Sequence, residues 1–407
     1  MTRSASVVLL LSYLAFISLG LPDTVLGVAW PSLRTTFGIP QSAMGAVLAC
    51  GMVGYFSSGL WAGVGVAKLG VGGLLASSSA LVALALLGYS LAPSWTVFFP
   101  IGLVMGLGSG AIDSGLNGFA ARHFSVRHMN WLHACWGIGA SAGPAVMTWA
   151  IAGGHGYRVG YRAIGVVLGT MTVLFLFTHR LWDEPRDAPA AADGGVERPA
   201  PSRGSVRDAL GSSRVWMQLV MFFFYTGLES SVGQWCFSWM RERRGLEIEA
   251  AGSWTSAYWA SLTLGRVVLG LIADRFGPDR LLRCATVGAL LGVTLFVSGG
   301  GALGQAGLLL LGASLAPVFP TLMARTPARV GDAVVHHAIG FQVSAATLGS
   351  VSMPALAGVL VSSLGLGSVG TLVIGLSVSM LLTHEALLRL TATPPAGRTS
   401  SAPAAGS

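Results

Sequence analysis

The chain has 407 residues, of which 53% are hydrophobic and only 10% are charged. Soluble domains carry roughly 25% charged residues, so this composition excludes an ordinary soluble fold and predicts a protein surrounded by a lipid bilayer. The net charge of +8 does not indicate a nucleic-acid partner, because the basic residues lie in short loops between apolar runs and form no basic stripe.

Apolar runs of about 20 residues, each long enough to cross ~30 Å of hydrocarbon, recur along the whole chain. In the first half they cover residues 6–30, 43–66, 71–91, 97–119, 130–152 and 162–178. In the second half they cover residues 214–240, 251–273, 281–299, 304–325, 336–361 and 367–390. The sequence therefore predicts an all-α integral membrane fold of twelve transmembrane helices in two pseudo-symmetric six-helix bundles. The first run has no cleavage pattern and is predicted to be an uncleaved span.

A long polar stretch separates the two sets of runs. We predict an N-terminal bundle over 1–178, a cytoplasmic linker over 179–213, a C-terminal bundle over 214–390 and a disordered tail over 391–407. Arginine and lysine are more frequent on the side that holds both termini and the linker. By the positive-inside rule, both termini are expected to be cytoplasmic. The protein is expected to lie in the plasma (inner) membrane and to be a monomer.

Two motifs of the first half recur in the second half at nearly the same offset. The loop motif pairs Gly63, Lys68, Leu69 and Gly70 with Gly270, Arg275, Phe276 and Gly277. The span motif pairs Gly20, Leu21, Asp23 and Gly27 with Gly227, Leu228, Glu229 and Gly233. A shared offset indicates the internal symmetry of transporters that move two bundles around a central site.

The stretch from Gly265 to Arg280 resembles the cytoplasmic loop signature of the major facilitator superfamily. In this stretch an acid at a helix end can pair with a neighbouring helix N-terminus or an arginine, and glycines permit a tight turn. The predicted cytoplasmic gate comprises Gly270, Asp274, Arg275, Gly277, Arg280 and Lys68. The first-half copy has Ala67 in place of the acid, so a charge latch is weakened or absent there.

A closer resemblance, to the fucose:proton symporter family, is carried by residues 20–31, 106–117 with 129–144, and 316–321. Members of that family are proton-coupled or ion-coupled importers of sugars, with a protonatable acid in the first span and another in the fourth. The resemblance gives these roles to Asp23 and Asp113. The family often has glutamate at the position of Asp113 and glutamine at that of His133, so the resemblance does not identify the substrate.

The acids within predicted spans lead to the same interpretation from their chemistry. An intramembrane acid costs at least ~2.5 kcal/mol unless it is neutralised, paired or facing water. We therefore predict proton-coupling roles for Asp23, Asp113 and Glu229, each exchanging a proton as access alternates. The alternative is a structural acid that pairs with arginine or caps a helix broken after Pro22. Arg266 is interpreted as structural, snorkelling towards the cytoplasm or pairing with an acid.

Polar residues on the fourth and fifth spans indicate the type of substrate. Asp113 and Asn117 share one helix face, and Asn130 and His133 share another, giving a carboxylate, two amides and an imidazole that suit hydroxyl groups. Indoles could stack on a sugar ring. The predicted substrate-binding residues are Asn117, Asn130, His133, Trp131, Trp136, Gln234, Trp235, Trp259 and Gln342. The alternative for the amides is interhelical bonding, and for the tryptophans a place in packing or at the membrane interface.

These observations together predict a secondary active transporter that imports a sugar or similar polyhydroxy solute with a proton by alternating access. A proton-driven exporter of small apolar compounds is one alternative, which would need a greasier cavity. A non-transporting membrane receptor or scaffold is another. We find no phosphate-binding loop, zinc motif or nucleophile elbow, so we predict no enzyme, no cofactor and no metal site. The four cysteines are interpreted as lipid-facing or core thiols.

Overall fold

The computed structural model describes residues 3–124, 126–182, 205–331 and 333–392, and its long elements are all helices. The first half contains α1 (Arg3–Asp23), α2 (Val25–Phe37), α3 (Met44–Leu91), α4 (Trp95–Phe98), α5 (Ile101–His123), α6 (Val126–Ala152) and α7 (Gly156–Thr178). The rest contains α8 (Val206–Gly211), α9 (Ser213–Ser238), α10 (Ile248–Phe276), α11 (Pro278–Ser298), α12 (Gly301–Leu315), α13 (Val318–Val330), α14 (Val335–Leu364) and α15 (Gly367–Ala392).

These helices form twelve spans, six in each half, which confirms the predicted fold. The helix α3 leaves helical geometry at Gly70 and so contains two spans. The pairs α1 with α2, α4 with α5 and α12 with α13 are single spans with a break. Eight helices in the described ranges are apolar enough to cross a membrane by composition alone. The first span of α3 and the helices α6, α9 and α10 are not among them. Glu229 on α9 and Arg266 on α10 lie within spans, which favours an interior position for these two helices.

The first span is broken beside a proline. Pro22 cannot donate a backbone hydrogen bond, and α1 ends at Asp23. Thr24 then adopts φ −112° and ψ 0°, and α2 begins at the next residue. The Thr24 hydroxyl donates to the carbonyl of Ala140 on α6 at 2.8 Å, which fixes the break against α6. A carboxylate is thereby placed at a helix end within the first span.

The two halves repeat these local devices. Gly70 in the first half and Gly277 in the second have φ of 69° and 75°, the left-handed region that favours glycine. Both lie at the turn between the second and third spans of their half. The hydroxyl of Thr226 on α9 donates to the carbonyl of Ala346 on α14 at 2.6 Å, as Thr24 does to α6. The loop motif of the sequence therefore corresponds to repeated geometry, whereas α9 continues through Glu229 without the break seen at Asp23.

The structure covers part of the predicted linker and tail. Residues 179–182 form a 3-10 turn with Trp182 buried, and α8 begins with a capping box between Ser205 and Asp208. Residues 183–204 and 393–407 lie outside the described residues. Thr391 and Ala392, which were predicted to belong to the tail, are the last residues of α15.

The two halves contact each other towards one end of the bundle. We call the end that holds both chain termini the terminal end and the opposite end, where α2 leads to α3 and α9 to α10, the distal end. At the distal end the backbone N–H of Ser42 donates to the hydroxyl of Ser362 at 3.0 Å. Arg34 and Glu242 form an ion pair across the halves at 3.9 Å, with both side chains about one-third exposed.

Glycines let the halves approach closely on the distal side. A Cβ added to Gly27 on α2 would overlap the backbone carbonyl of Gln234 on α9. A Cβ added to Gly252 on α10 would overlap the side chain of Thr148 on α6. These contacts lie distal to the middle of the spans, and small residues at crossings are how helices pack in membranes. The distal end is therefore closed in this conformation.

Replacing Gly27 by valine is expected to open the distal end. The added side chain overlaps backbone that cannot move aside, and overpacking of this kind costs ~1–3 kcal/mol, enough to shift the two-state population roughly tenfold. The reporter is Thr148→Cys, buried on α6 where it faces Gly252 of α10, in purified protein whose native cysteines are replaced by serine, labelled with a soluble maleimide. We expect Gly27→Val to raise the labelling rate by roughly that factor.

Gly169 on α7 provides the control, because an added Cβ there meets nothing within 4 Å. Gly169→Val should leave the labelling rate of Thr148→Cys unchanged. If folded Gly27→Val protein labels no faster than the control, the contact does not hold the distal end closed.

Candidate substrate and proton site

Asp23 occupies the break in the first span with an exposed side chain. Its Oδ2 accepts a hydrogen bond from the indole Nε1 of Trp136 on α6 at 2.9 Å. Its backbone carbonyl accepts one from the amide of Gln234 on α9, in the other half, at 3.5 Å. Since helices from both halves surround it, the carboxylate faces the space between the halves and not lipid.

Asp113 lies on α5 and is held within the first half. Its Oδ2 accepts a hydrogen bond from the Tyr55 hydroxyl at 2.6 Å, and its Oδ1 accepts one from the Asn117 amide at 2.8 Å. Asp113 and Asn117, which were predicted to share one helix face, are therefore joined by a direct hydrogen bond. Tyr55 was missed by sequence reasoning, because a lone tyrosine in an apolar span carries no distinguishing signal. The carboxylate of Asp113 also interacts electrostatically with Asp23.

The helix α6 presents some of the predicted residues to the site and turns another away. His133 is exposed and packs its ring edge against Phe16 with centroids 5.5 Å apart. His133 and Trp136 share the side of α6 that faces α1. Trp131 points the opposite way with Ile138, and these two side chains are 50% and 51% exposed. Trp131 therefore does not join the site. The side chain of Asn130 lies outside the described residues.

Glu229 on α9 is paired in the second half. Its Oε2 accepts a short hydrogen bond from the Tyr225 hydroxyl, and Nη2 of Arg266 on α10 lies 3.6 Å from the same oxygen. The Tyr258 hydroxyl donates to the Glu229 backbone carbonyl at 3.0 Å. Arg266 thus pairs with an acid within its span and does not extend to the terminal end.

Trp136 connects the two halves. The Arg266 guanidinium lies 5.7 Å from the centroid of the Trp136 ring, a cation–π contact between α10 and α6. Trp259 of α10 meets the same indole edge-on, with centroids 6.1 Å apart. With the Trp136–Asp23 hydrogen bond and the Arg266–Glu229 ion pair, these contacts run from one half to the other. We call Asp23, Trp136, Arg266 and Glu229 the central chain.

Three other predicted substrate-binding residues are buried in this conformation. Their side chains are therefore not accessible to a solute at the central chain. Trp235 is 0% exposed and donates its Nε1 to the Pro354 carbonyl at 3.0 Å. Gln342 is also 0% exposed and bonds to Gln218 at 3.2 Å within the second half. Gln234 is buried at the distal contact with α2. Trp235 and Gln342 join α9 to α14, and Gln234 joins α9 to α2, so in this conformation all three pack helices together.

The structure describes only part of the predicted cytoplasmic gate. Lys68 and Arg280 are exposed at the terminal end, and Gly277 forms the turn between α10 and α11. The side chains of Gly270, Asp274 and Arg275 lie outside the described residues, so their roles stay predictions. The charge contacts described at this end include those of Asp279, whose oxygens lie 2.7 Å from Arg325 and 2.9 Å from Arg329. Asp279 stands inside the loop motif, where sequence reasoning overlooked it.

The described residues contain no group of three or more His, Cys, Asp or Glu side chains that could hold a metal ion. The cysteines are all free; Cys236 is buried, Cys284 is exposed, and Cys50 and Cys135 are half-buried. The described side chains that face the space between the halves include carboxylates, the Arg266 guanidinium, the His133 imidazole and the Trp136 indole.

Twelve spans in two related halves, with charged side chains facing each other between the halves, define a multi-pass membrane transporter. The family model of the Major Facilitator Superfamily matches residues 12–334 and, in a second match, residues 237–406. The chain belongs to this superfamily. It is a secondary transporter that works by alternating access, and not an enzyme.

Two curated relatives share part of the sequence. Bypass of stop codon protein 6 of Saccharomyces cerevisiae is 23% identical over 278 residues, which are 64% of this chain and 56% of the yeast protein. The Gallate transporter of Pseudomonas putida is 25% identical over 308 residues, 68% of each chain. The match therefore spans little more than half the length of the yeast relative.

Solved structures share the fold over nearly the whole chain. The nucleoside transporter NupG superposes with a TM-score of 0.68 at 14% identity, covering 97% of this chain and 100% of NupG. A bacterial homologue of the human lysosomal transporter Spinster, inward-facing and unoccupied, gives 0.72 at 14% identity, covering 96% of each chain. FucP, the fucose:proton symporter of E. coli, gives 0.60 in its outward conformation at 15% identity, covering 95% and 99%.

Breaking the Glu229–Arg266 pair one partner at a time is expected to destabilise the protein more than removing both. Each single variant, Glu229→Gln or Arg266→Gln, leaves a charge between the halves without its partner. The double variant removes that cost, so we expect a coupling of roughly 0.5–3 kcal/mol between the two changes. The measurement is thermal unfolding of the four proteins in one detergent.

The matched control is the pair of Arg283 and Glu385, which bond at 2.6 Å at the terminal end with side chains 56% and 30% exposed. An exposed pair contributes ~0–1 kcal/mol, so its cycle should show weak coupling. Additive effects of the Glu229 and Arg266 changes would contradict the ion pair.

Proposed function

We propose that the protein is a proton-coupled symporter that imports a sugar or a similar polyhydroxy solute across the plasma (inner) membrane, with both termini cytoplasmic. The observation that carries the proposal is the position of Asp23. An exposed carboxylate at a helix break, bonded to Trp136 at 2.9 Å, lies between the two halves at membrane depth. Ionisable residues in such positions mark ion and proton pathways.

The closed distal end determines from which side of the membrane Asp23 is accessible. With cytoplasmic termini, the distal end faces outward and the conformation is inward-facing. Gly27 and Gln234 then close the path from outside directly beyond Asp23, while its carboxylate is accessible from the terminal end. Rocking the halves to the opposite state would expose Asp23 to the outside, so the same acid meets both aqueous phases in turn. A proton taken up on one side can be released on the other.

The polar side chains of the first half support a hydroxylated cargo. Asp113 and Asn117 form a carboxylate–amide pair, and His133 presents an exposed imidazole. These groups both donate and accept hydrogen bonds, as sugar hydroxyls do. An exporter of apolar compounds is less well supported, because Asp23, Arg266 and His133 bring charged and polar side chains to the space between the halves. A receptor or scaffold is not supported either, because the chain belongs to a transporter superfamily.

The names of similar proteins support the same class of cargo. FucP is named as a fucose:proton symporter, NupG as a nucleoside transporter and the Pseudomonas relative as a gallate transporter. Fucose, nucleosides and gallate each carry several hydroxyl groups on or beside a ring. The proposal is accordingly for a polyhydroxy solute, as the resemblance to the fucose:proton symporter family implies.

Neutralising the two acids of the first half should separate coupling from binding. Asp23→Asn mimics the protonated form, so the carrier can bind solute and reorient but cannot release the proton. We expect loss of pH-driven accumulation with retention of solute exchange. Asp113→Asn disturbs the bonds to Tyr55 and Asn117, and we expect it to lose both activities. The measurements are pH-driven uptake and counterflow in proteoliposomes.

Asp208 offers a neutral control, because it caps α8 at the surface, away from the site. Asp208→Asn should keep both accumulation and exchange. If Asp23→Asn and Asp113→Asn both keep full pH-driven accumulation, neither acid couples the proton, and Glu229 is the next candidate.

A further inference from the structure

Arg266 is a cation in the middle of a span. It lies several turns from either end of α10, and its side chain is 22% exposed. An arginine at this depth is expensive unless it is paired or faces water. Its presence there indicates a role that a neutral side chain could not fill.

The pairing of Arg266 within the protein is incomplete. The distance to Glu229 is 3.6 Å, longer than the 2.7–2.9 Å typical of charge-assisted hydrogen bonds. The same Glu229 oxygen already accepts a hydrogen bond from the Tyr225 hydroxyl. The described polar contacts of Arg266, with Glu229 and with the Tyr225 hydroxyl at 3.5 Å, both use Nη2. The rest of the planar guanidinium fork remains for a further acceptor.

The surroundings of Arg266 fit a solute between the halves. Thr263, one turn distal on α10, is in contact with Gly137 of α6, so the halves meet there. Arg266 lies on the terminal side of this contact, where the halves separate. The indole of Trp136 provides a flat apolar surface beside it, and the charge of Arg266 reaches His133 across the space.

We infer that Arg266 binds a carboxylate of the transported solute, so that the cargo is a polyhydroxy acid: a carboxylate carried on a hydroxylated ring or chain. The inference rests on the proposed function, since the same site must transport a polyhydroxy solute. A guanidinium matches a carboxylate with two parallel hydrogen bonds. The hydroxyl groups of the solute would then extend towards His133 and the Asp113–Asn117 pair of the first half.

Glu229 takes a defined place in this arrangement. Its negative charge compensates the positive charge of Arg266 while the site is empty. Because the two groups are 3.6 Å apart, a solute carboxylate can compete for the guanidinium. Bound solute then brings a second negative charge to one cation, and an uncompensated charge at membrane depth is costly. A proton that enters with the solute offsets this charge, which links anion binding to proton coupling.

The test uses two pairs of probes that differ by a carboxylate: D-glucuronate against D-glucose, and gallate against pyrogallol. Uptake of each driven by a pH gradient is measured in liposomes that contain the purified protein and in empty liposomes. We expect the acid of at least one pair to be taken up at least about tenfold faster than its neutral partner, the value of a hydrogen bond to a charged group. Arg266→Gln should abolish this preference, and Arg266→Lys should retain part of it.

Two further variants keep the result interpretable. Glu229→Gln combined with Arg266→Gln removes both charges together, so it reports on the preference if the single variant does not fold. Arg283→Gln removes an exposed arginine at the terminal end and should leave the preference unchanged.

The outcomes separate the inference from the proposed function. Equal uptake of the acid and neutral members, unaffected by Arg266→Gln, overturns the inference and leaves polyhydroxy-solute transport standing. Uptake of neither member of either pair, with protein that is folded and inserted, overturns both.

Discussion

The cost of placing charge in hydrocarbon is the constraint on which this structure depends. Asp23, Asp113, Glu229 and Arg266 all lie at membrane depth, where each would be expensive in contact with lipid. Each has a partner or an aqueous face: Trp136 for Asp23, Tyr55 and Asn117 for Asp113, and Arg266 for Glu229. The helices that carry these groups must therefore face the interior, and the more apolar helices are left to cover them.

Close glycine contacts are the second constraint on the structure. At the distal end, Gly27 and Gly252 bring helices of opposite halves to distances that any side chain would prevent. The halves are thus held together by small surfaces beyond the central chain and separate towards the terminal end. Because Trp136 contacts Arg266 and Trp259 of the other half, rocking the halves must change these two contacts. On the proposed function, solute and proton bind at the contacts that have to change.

The spans and their repetition could be predicted from sequence, because apolar length and offset glycine motifs are local signals. The break at Asp23 followed from Pro22. The rotation of each helix about its axis could not be predicted, since lipid-facing and core-facing sides are both apolar. That is why Trp131 and Trp136 received the same prediction although only Trp136 faces the partner half, and why Trp235 was expected at the site. The approach of Arg266 to Glu229 depends on how α10 packs on α9, which no local pattern encodes.

Alternating access around the central chain is most directly tested by two distances in one protein. Spin labels at Thr35 and Leu364, both exposed at the distal end, report one side, and labels at Lys68 and Arg280 report the terminal end. Pulsed EPR distances would be recorded in lipid over a range of pH and with the candidate solutes. The account predicts changes of opposite sign, the distal distance lengthening as the terminal distance shortens. Changes of the same sign, or a distal distance that never lengthens, would contradict it.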